Sequence, residues 1–150
     1  MKDFERLLNN VNKFDLNDVL YTLWNDNKVQ NYIIELNTEG QPTSQLYNLG
    51  VDSLGETLGE YSDYTIQFKI EDGQRFDHIT LKDTGDFYET FKVKPSKKGF
   101  QIIANPVKED NNLFDEYGKD ITGLTEDNKT LLLAFVKEDF NKEIEKRLFQ

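Results

Sequence analysis

The sequence predicts an α+β fold, helical at both ends and stranded between, and three patterns carry that expectation. Apolar residues between Phe14 and Glu39 recur at spacings of three and four, short segments between His78 and Ile103 alternate apolar with polar, and one helical stripe runs from Thr125 to Leu148. A chain of 150 residues has the size of one domain, which buries about 70% of its unfolded surface, so residues 1–150 are read as a single domain around one core. Only 37% of residues are hydrophobic, but 11 Phe, 7 Tyr and Trp24 each bury much area, and this favours a folded chain over a disordered one.

Taken in order, Met1 to Asn12 is polar and interrupted, without an apolar run of signal-peptide length. Leu16, Val19, Leu20, Leu23 and Trp24, then Val29, Tyr32, Ile33 and Leu36, give two consecutive helices or one kinked helix. Asp15 or Asn17 caps the start, Asn25-Asp26-Asn27 breaks or recaps it, and Gly40 with Pro42 stops it. Gln41 to Gly59, with Pro42, Gly50, Gly55 and Gly59, is expected as a loop or irregular extended segment. Tyr61 to Ile70 fits helix and strand alike, and Ser62 as a cap tips the balance towards helix.

Beyond Asp72-Gly73, strands are expected at His78 to Lys82, Phe91 to Lys94 and Phe100 to Ile103, the last two paired antiparallel through Pro95 to Gly99. Thr84 or Asp83 caps a short helical turn through Asp86 to Glu89. Leu113 to Tyr117 reads as a short helix closed by Gly118. The last helix opens at Thr125-Glu126-Asp127, carries Leu132, Val136, Phe140, Ile144 and Leu148 beside Leu131 and Phe135, and places Lys142, Lys146 and Arg147 near its C-terminus.

Charge and composition exclude several functions. With 18 Lys plus Arg against 28 Asp plus Glu, the net charge of −10 disfavours binding to phosphate backbones and anionic lipid. No cysteine is present, which removes disulfides, thiolate zinc sites and thiol nucleophiles and suits synthesis in a reducing cytoplasm. No stretch approaches the roughly 20 apolar residues of a membrane span.

No catalytic, cofactor or metal residue is assigned. His78 is the sole histidine, so it forms no two-histidine metal site, and it reads as a surface or strand-edge imidazole rather than a general base. Glu56 with Glu60 and Asp83 with Asp86 are carboxylate pairs of the kind a glycosidase uses, but at this acidic density chance pairs are expected and a solvated face explains them. Asp52 to Glu56 lacks the alternating oxygen ligands of a calcium loop. Gly50, Gly55, Gly59 and Gly73 form no phosphate cradle and read as positions needing positive φ. Phe87, Tyr88 and Phe91, without flanking basic clusters, read as core rather than a base-stacking platform.

From Asp52 the chain runs DSLGETLGEYSDYTIQFK, then ITLKDTGDFYETFKV, GFQIIA and NLFDEYG. This order resembles the tail-completion or head-tail joining proteins of tailed bacteriophages, the virion morphogenesis proteins, in the variant of crAss-like and other Bacteroidota phages. The matching positions are Gly55, Leu58, Gly59, Tyr61, Ser62, Thr65, Lys69, Leu81, Thr84, Gly85, Phe87, Tyr117 and Gly118, spread over the C-terminal two-thirds.

The resemblance implies a small antiparallel sheet packed against N-terminal helices and a long C-terminal helix. It further implies a structural, non-enzymatic virion protein that forms a homo-oligomeric ring beneath the portal and meets the portal and neighbouring connector or tail proteins. DNA passes through such a ring without specific binding. Ring contacts that close under rotation need two different patches per subunit, expected here in Gln41 to Gly59 and Glu71 to Asp77. The alternative is an acidic DNA mimic that inhibits a DNA-binding enzyme, which the net charge favours but the broad spread of carboxylates weakens.

Overall fold

The structure is a computed structural model describing residues 1–150. Helix α1 spans Lys2–Lys13, α2 Leu16–Trp24, α3 Asn27–Asn37, α4 Asp63–Glu71, α5 Asp86–Glu89, α6 Leu113–Tyr117 and α7 Glu126–Phe149. Strands β1, Lys92–Ser96, and β2, Gly99–Ile103, form one antiparallel ribbon, while β3, Val107–Lys108, and β4, Asn111–Asn112, form a second, minimal one. The fold is α+β as expected: the β1–β2 ribbon packs on α2 and α3, and α7 runs across α1, α2 and α3.

The expected caps explain the helix boundaries. Asp15 accepts from Asn17 N–H to open α2, and Asp26 accepts from Lys28 and Val29 N–H to open α3, so the polar run between them restarts the helix. Ser62 opens α4 through Thr65 N–H, and Thr125 opens α7 through Asn128 N–H. Asn112 caps α6, which ends at Gly118 with φ 86°.

The core joins Trp24, Val29, Ile33 and Leu36 of the N-terminal helices to Phe87, Tyr88 and Phe91, Ile102 of β2, and Leu132 and Val136 of α7. Trp24 meets Phe100 edge-on at 5.0 Å, and Phe87 meets Phe91 at 5.1 Å in the same T-shaped geometry. Tyr32 stacks on Phe135 at 4.0 Å, which accounts for one of the α7 side chains outside the buried stripe. No helix is long and apolar enough to cross a membrane.

Three expectations need correction. The first is at His78 to Lys82, which is not a strand: Leu81 has φ 59°, and side chains take the place of a neighbouring strand in bonding Thr80. His78 is accordingly not at a strand edge. Secondly, Gln41 to Gly59 is not loop or irregular extended chain throughout, because Gln45–Leu49 is a π-helical turn in which Gln45 and Leu46 are fully buried. Thirdly, Asp83 caps nothing; Gly85 precedes α5, and Thr84 Oγ1 accepts weakly from Asp86 N–H at 3.3 Å. At the start of the chain, Met1 to Asn12 lies mostly in α1, which buries no residue. Its polar character hid an amphipathic repeat of Phe4, Leu7, Leu8 and Val11.

Candidate functional site

Two of the segments that carry the resemblance, the one holding Tyr61 and Lys69 and the one starting at Ile79, meet at the turn around Thr80. Thr80 is almost fully buried. Its N–H donates to the Tyr61 hydroxyl at 3.0 Å, its carbonyl accepts from the Tyr88 hydroxyl, and its own Oγ1 lies 3.2 Å from Tyr61 Oη. Lys82 N–H then donates to Thr80 Oγ1 at 3.1 Å, closing a turn whose geometry leaves Leu81 in the left-handed region. Burial pushes the Tyr88 phenol far up, so it remains a donor throughout the ordinary pH range.

Lys69 reaches the same turn from α4. It is buried, donates to the Lys82 carbonyl at 3.0 Å and to Gln74 Oε1 at 3.1 Å, and lies 4.6 Å above the Tyr61 ring. Tyr117, at the end of α6, has its phenol raised by burial, with the charges of Glu116 and Tyr61 adding to the shift. Tyr61 and Lys69 therefore brace the turn that holds Leu81, while Phe87 packs in the core beside Tyr88 and Phe91. Gly55 is in open surface, and Gly118 ends α6.

Tyr47, from the π-helical turn, forms the other wall. Its ring receives Lys82 Nζ at 5.3 Å and the Arg75 guanidinium at 5.6 Å, while Lys82 pairs with Glu39 at 2.6 Å. His78 Nε2–H donates to the Tyr47 carbonyl at 2.7 Å, and its Nδ1 is 3.5 Å from Asp77. The imidazole fills the space over Gly50, where a Cβ would fall 2.5 Å from His78 Cδ2; with φ 63°, Gly50 is required on both counts. His78 is thus a packed, half-buried link between two segments.

The carboxylates named from sequence do not gather. Asp83 pairs with Lys108 at 3.3 Å, which with a hydrogen bond from that lysine holds its carboxyl below the usual range. Asp77 is held low by its hydrogen bond from Arg75. Glu56, Glu60 and Asp86 are exposed without an ion-pair partner. Asp52 folds back, its Oδ1 accepting from Leu54 N–H at 2.9 Å and Glu56 N–H at 3.0 Å. No three His, Asp or Glu side chains are grouped as metal ligands.

A second polar constellation escaped the sequence reading. Asn128 Nδ2 donates to the Leu36 and Thr43 carbonyls and to Gln45 Oε1, and Gln45 Nε2 donates to the Gly123 carbonyl. Asn37 Nδ2 donates to the Ile121 carbonyl while its Oδ1 accepts from Gly123 N–H. These three fully buried amides tie α3, the π-helical turn and the entry to α7 together. Sequence offers no signal for them, since each amide's partners lie up to 92 residues away.

Of the two loops expected to meet a neighbour, Gln41 to Leu46 is spent on the core, whereas Leu54 to Thr57 is open, with Leu54 70% exposed. In Glu71 to Asp77, Phe76 is 44% exposed beside the Arg75–Asp77 pair. Compared with models of protein families, with curated proteins and with solved structures, the chain matches none.

Proposed function

We propose that the chain is a structural virion protein, one subunit of a ring at the head-tail interface of a tailed phage, acting through contacts with other copies, the portal and adjacent connector or tail proteins. The observation that carries this reading is the use made of the residues behind the resemblance. Tyr61 and Lys69 brace a turn through hydrogen bonds and a cation–π contact, and Leu81 and Phe87 pack into the core, so these side chains are engaged within the fold. Residues spent in this way define a rigid scaffold, and the work of such a protein falls to its surface.

The surface is suited to association. Leu54, Tyr64, Phe68 and Phe76 are exposed on segments held in place by that scaffold. A strongly acidic body is also consistent with a lumen past which DNA moves without adhering.

Quantitative mass spectrometry of purified particles tests the reading. The chain is expected in the virion at a fixed, ring-like ratio to the portal. Absence from the particle overturns the proposal and moves the acidic DNA-mimic reading ahead of it.

A further inference from the structure

Charge on this chain is segregated along the sequence into a basic stretch and an acidic stretch, and the fold exposes both. From Phe91 to Lys108 there are five lysines and no Asp or Glu, on a protein whose net charge is −10. From Val29 to Phe68 the reverse holds, with six carboxylates and no Lys or Arg.

The basic stretch contains the β1–β2 hairpin. Lys92 and Lys94 stand on its outer face, cross-strand from Ile103 and Gln101, and Lys97 and Lys98 form its tip. All four are exposed, and only Lys97 has an ion-pair partner, Asp18 at 3.4 Å. Exposed apolar groups flank them, Ile103 at 40% and Val107 at 63%. No backbone hydrogen bond from outside the hairpin reaches Lys92 to Ile103, so the ribbon's outer edges are free.

The acidic stretch presents a ledge from Leu54 to Tyr64. Glu56, Glu60 and Asp63 are exposed and unpaired, and Leu54 and Tyr64 bracket them at 70% and 75% exposure. The ledge is fixed at one end by the Asp52 turn and at the other by the Ser62 cap of α4. Within one chain no ion pair joins ledge to hairpin.

We infer that the lysine hairpin of one copy docks on the acidic ledge of a second copy, in a contact joining two different patches. The partner is a second copy because the same chain carries both halves of the complementarity, cations with flanking aliphatics on one side and carboxylates with Leu54 and Tyr64 on the other. The overall repulsion of two acidic chains does not forbid it. At about 0.15 M salt charges more than roughly 8 Å apart are screened, so facing patches outweigh distant excess charge. The inference rests on the self-assembling reading above and names its contact.

The test is a charge exchange followed by sedimentation at about 0.15 M salt. One variant carries K92E, K94E and K98E; the other carries E56K and E60K. Every altered side chain is exposed, and thermal unfolding verifies that each variant folds. Self-association of the wild type is expected to weaken on the order of tenfold or more in each variant alone and to return when the two are mixed, since mixing restores opposite charges at both contacts. Wild-type association that survives both exchanges overturns the inference while leaving the ring reading intact. A wild type monomeric at every concentration also overturns it, and the particle ratio then decides the ring reading separately. Loss of DNA retention by the K92E, K94E and K98E variant with unchanged association reassigns the hairpin to phosphate binding and overturns the inference.

Discussion

Tyr88 shows how much one hydroxyl is asked to hold. It is buried among Phe87 and Phe91, yet its oxygen donates to the Thr80 carbonyl of a turn that has no strand partner. Removing that donor takes away the side-chain partner of a buried carbonyl. Tyr88→Phe is therefore expected to destabilise the protein by about 1–3 kcal/mol, measured by urea unfolding, although it deletes one atom and keeps the ring. A loss near zero would mean the Thr80 carbonyl finds another donor. Gly50 is constrained differently, by its left-handed backbone and by the His78 ring above it, so any side chain there must displace that imidazole.

At the level of elements, the segment between α4 and α5 has no ladder of its own and depends on ion pairs as well as on Thr80. Asp77 is held low by Arg75 and Asp83 by Lys108. Because both carboxyls titrate lower in the folded state, their contribution is fully present above about pH 4, the unfolded carboxylate range, and is lost as pH falls through the depressed values. Both side chains are more than half exposed, so the expected result is a local loosening. Amides of residues 72–83 should exchange faster with solvent at pH 3 than the pH dependence of intrinsic exchange accounts for, while those of α3 should not. The same segment marks the limit of what sequence could tell. Helices α2, α3, α4, α6 and α7 were legible because capping residues and apolar spacing act locally, and the β1–β2 hairpin because its alternation flanks a turn. His78 to Lys82 alternates equally well, but its partners are the hydroxyls of Tyr61 and Tyr88, which periodicity does not register. The braced turn was legible only as a set of residues, and its Tyr47 and Glu39 wall was not legible at all.

For the whole molecule, electrostatics is dominated by an excess of like charge. The ion pairs lie largely at the surface, Lys142 with Glu138 and Lys129 with Glu126 among them, and solvent-screened pairs of that kind contribute little each. Mutual repulsion within a chain of net charge −10 opposes folding. Added salt screens both, and the unbalanced carboxylates outnumber the weak pairs in effect, so the melting temperature is expected to rise between about 0.01 and 0.15 M salt. A fall over that range, followed by calorimetry, would assign the surface pairs the larger share.

The amides of Asn37, Gln45 and Asn128 have a bearing on how this molecule comes apart. None of the three side chains carries a proton to gain or lose between acid and base, so the clasp among α3, the π-helical turn and α7 is indifferent to acidity. The periphery, held by Asp77, Asp83 and their cationic partners, is not. Acid is therefore expected to release the outer turn before it loosens the helices that the amides clasp.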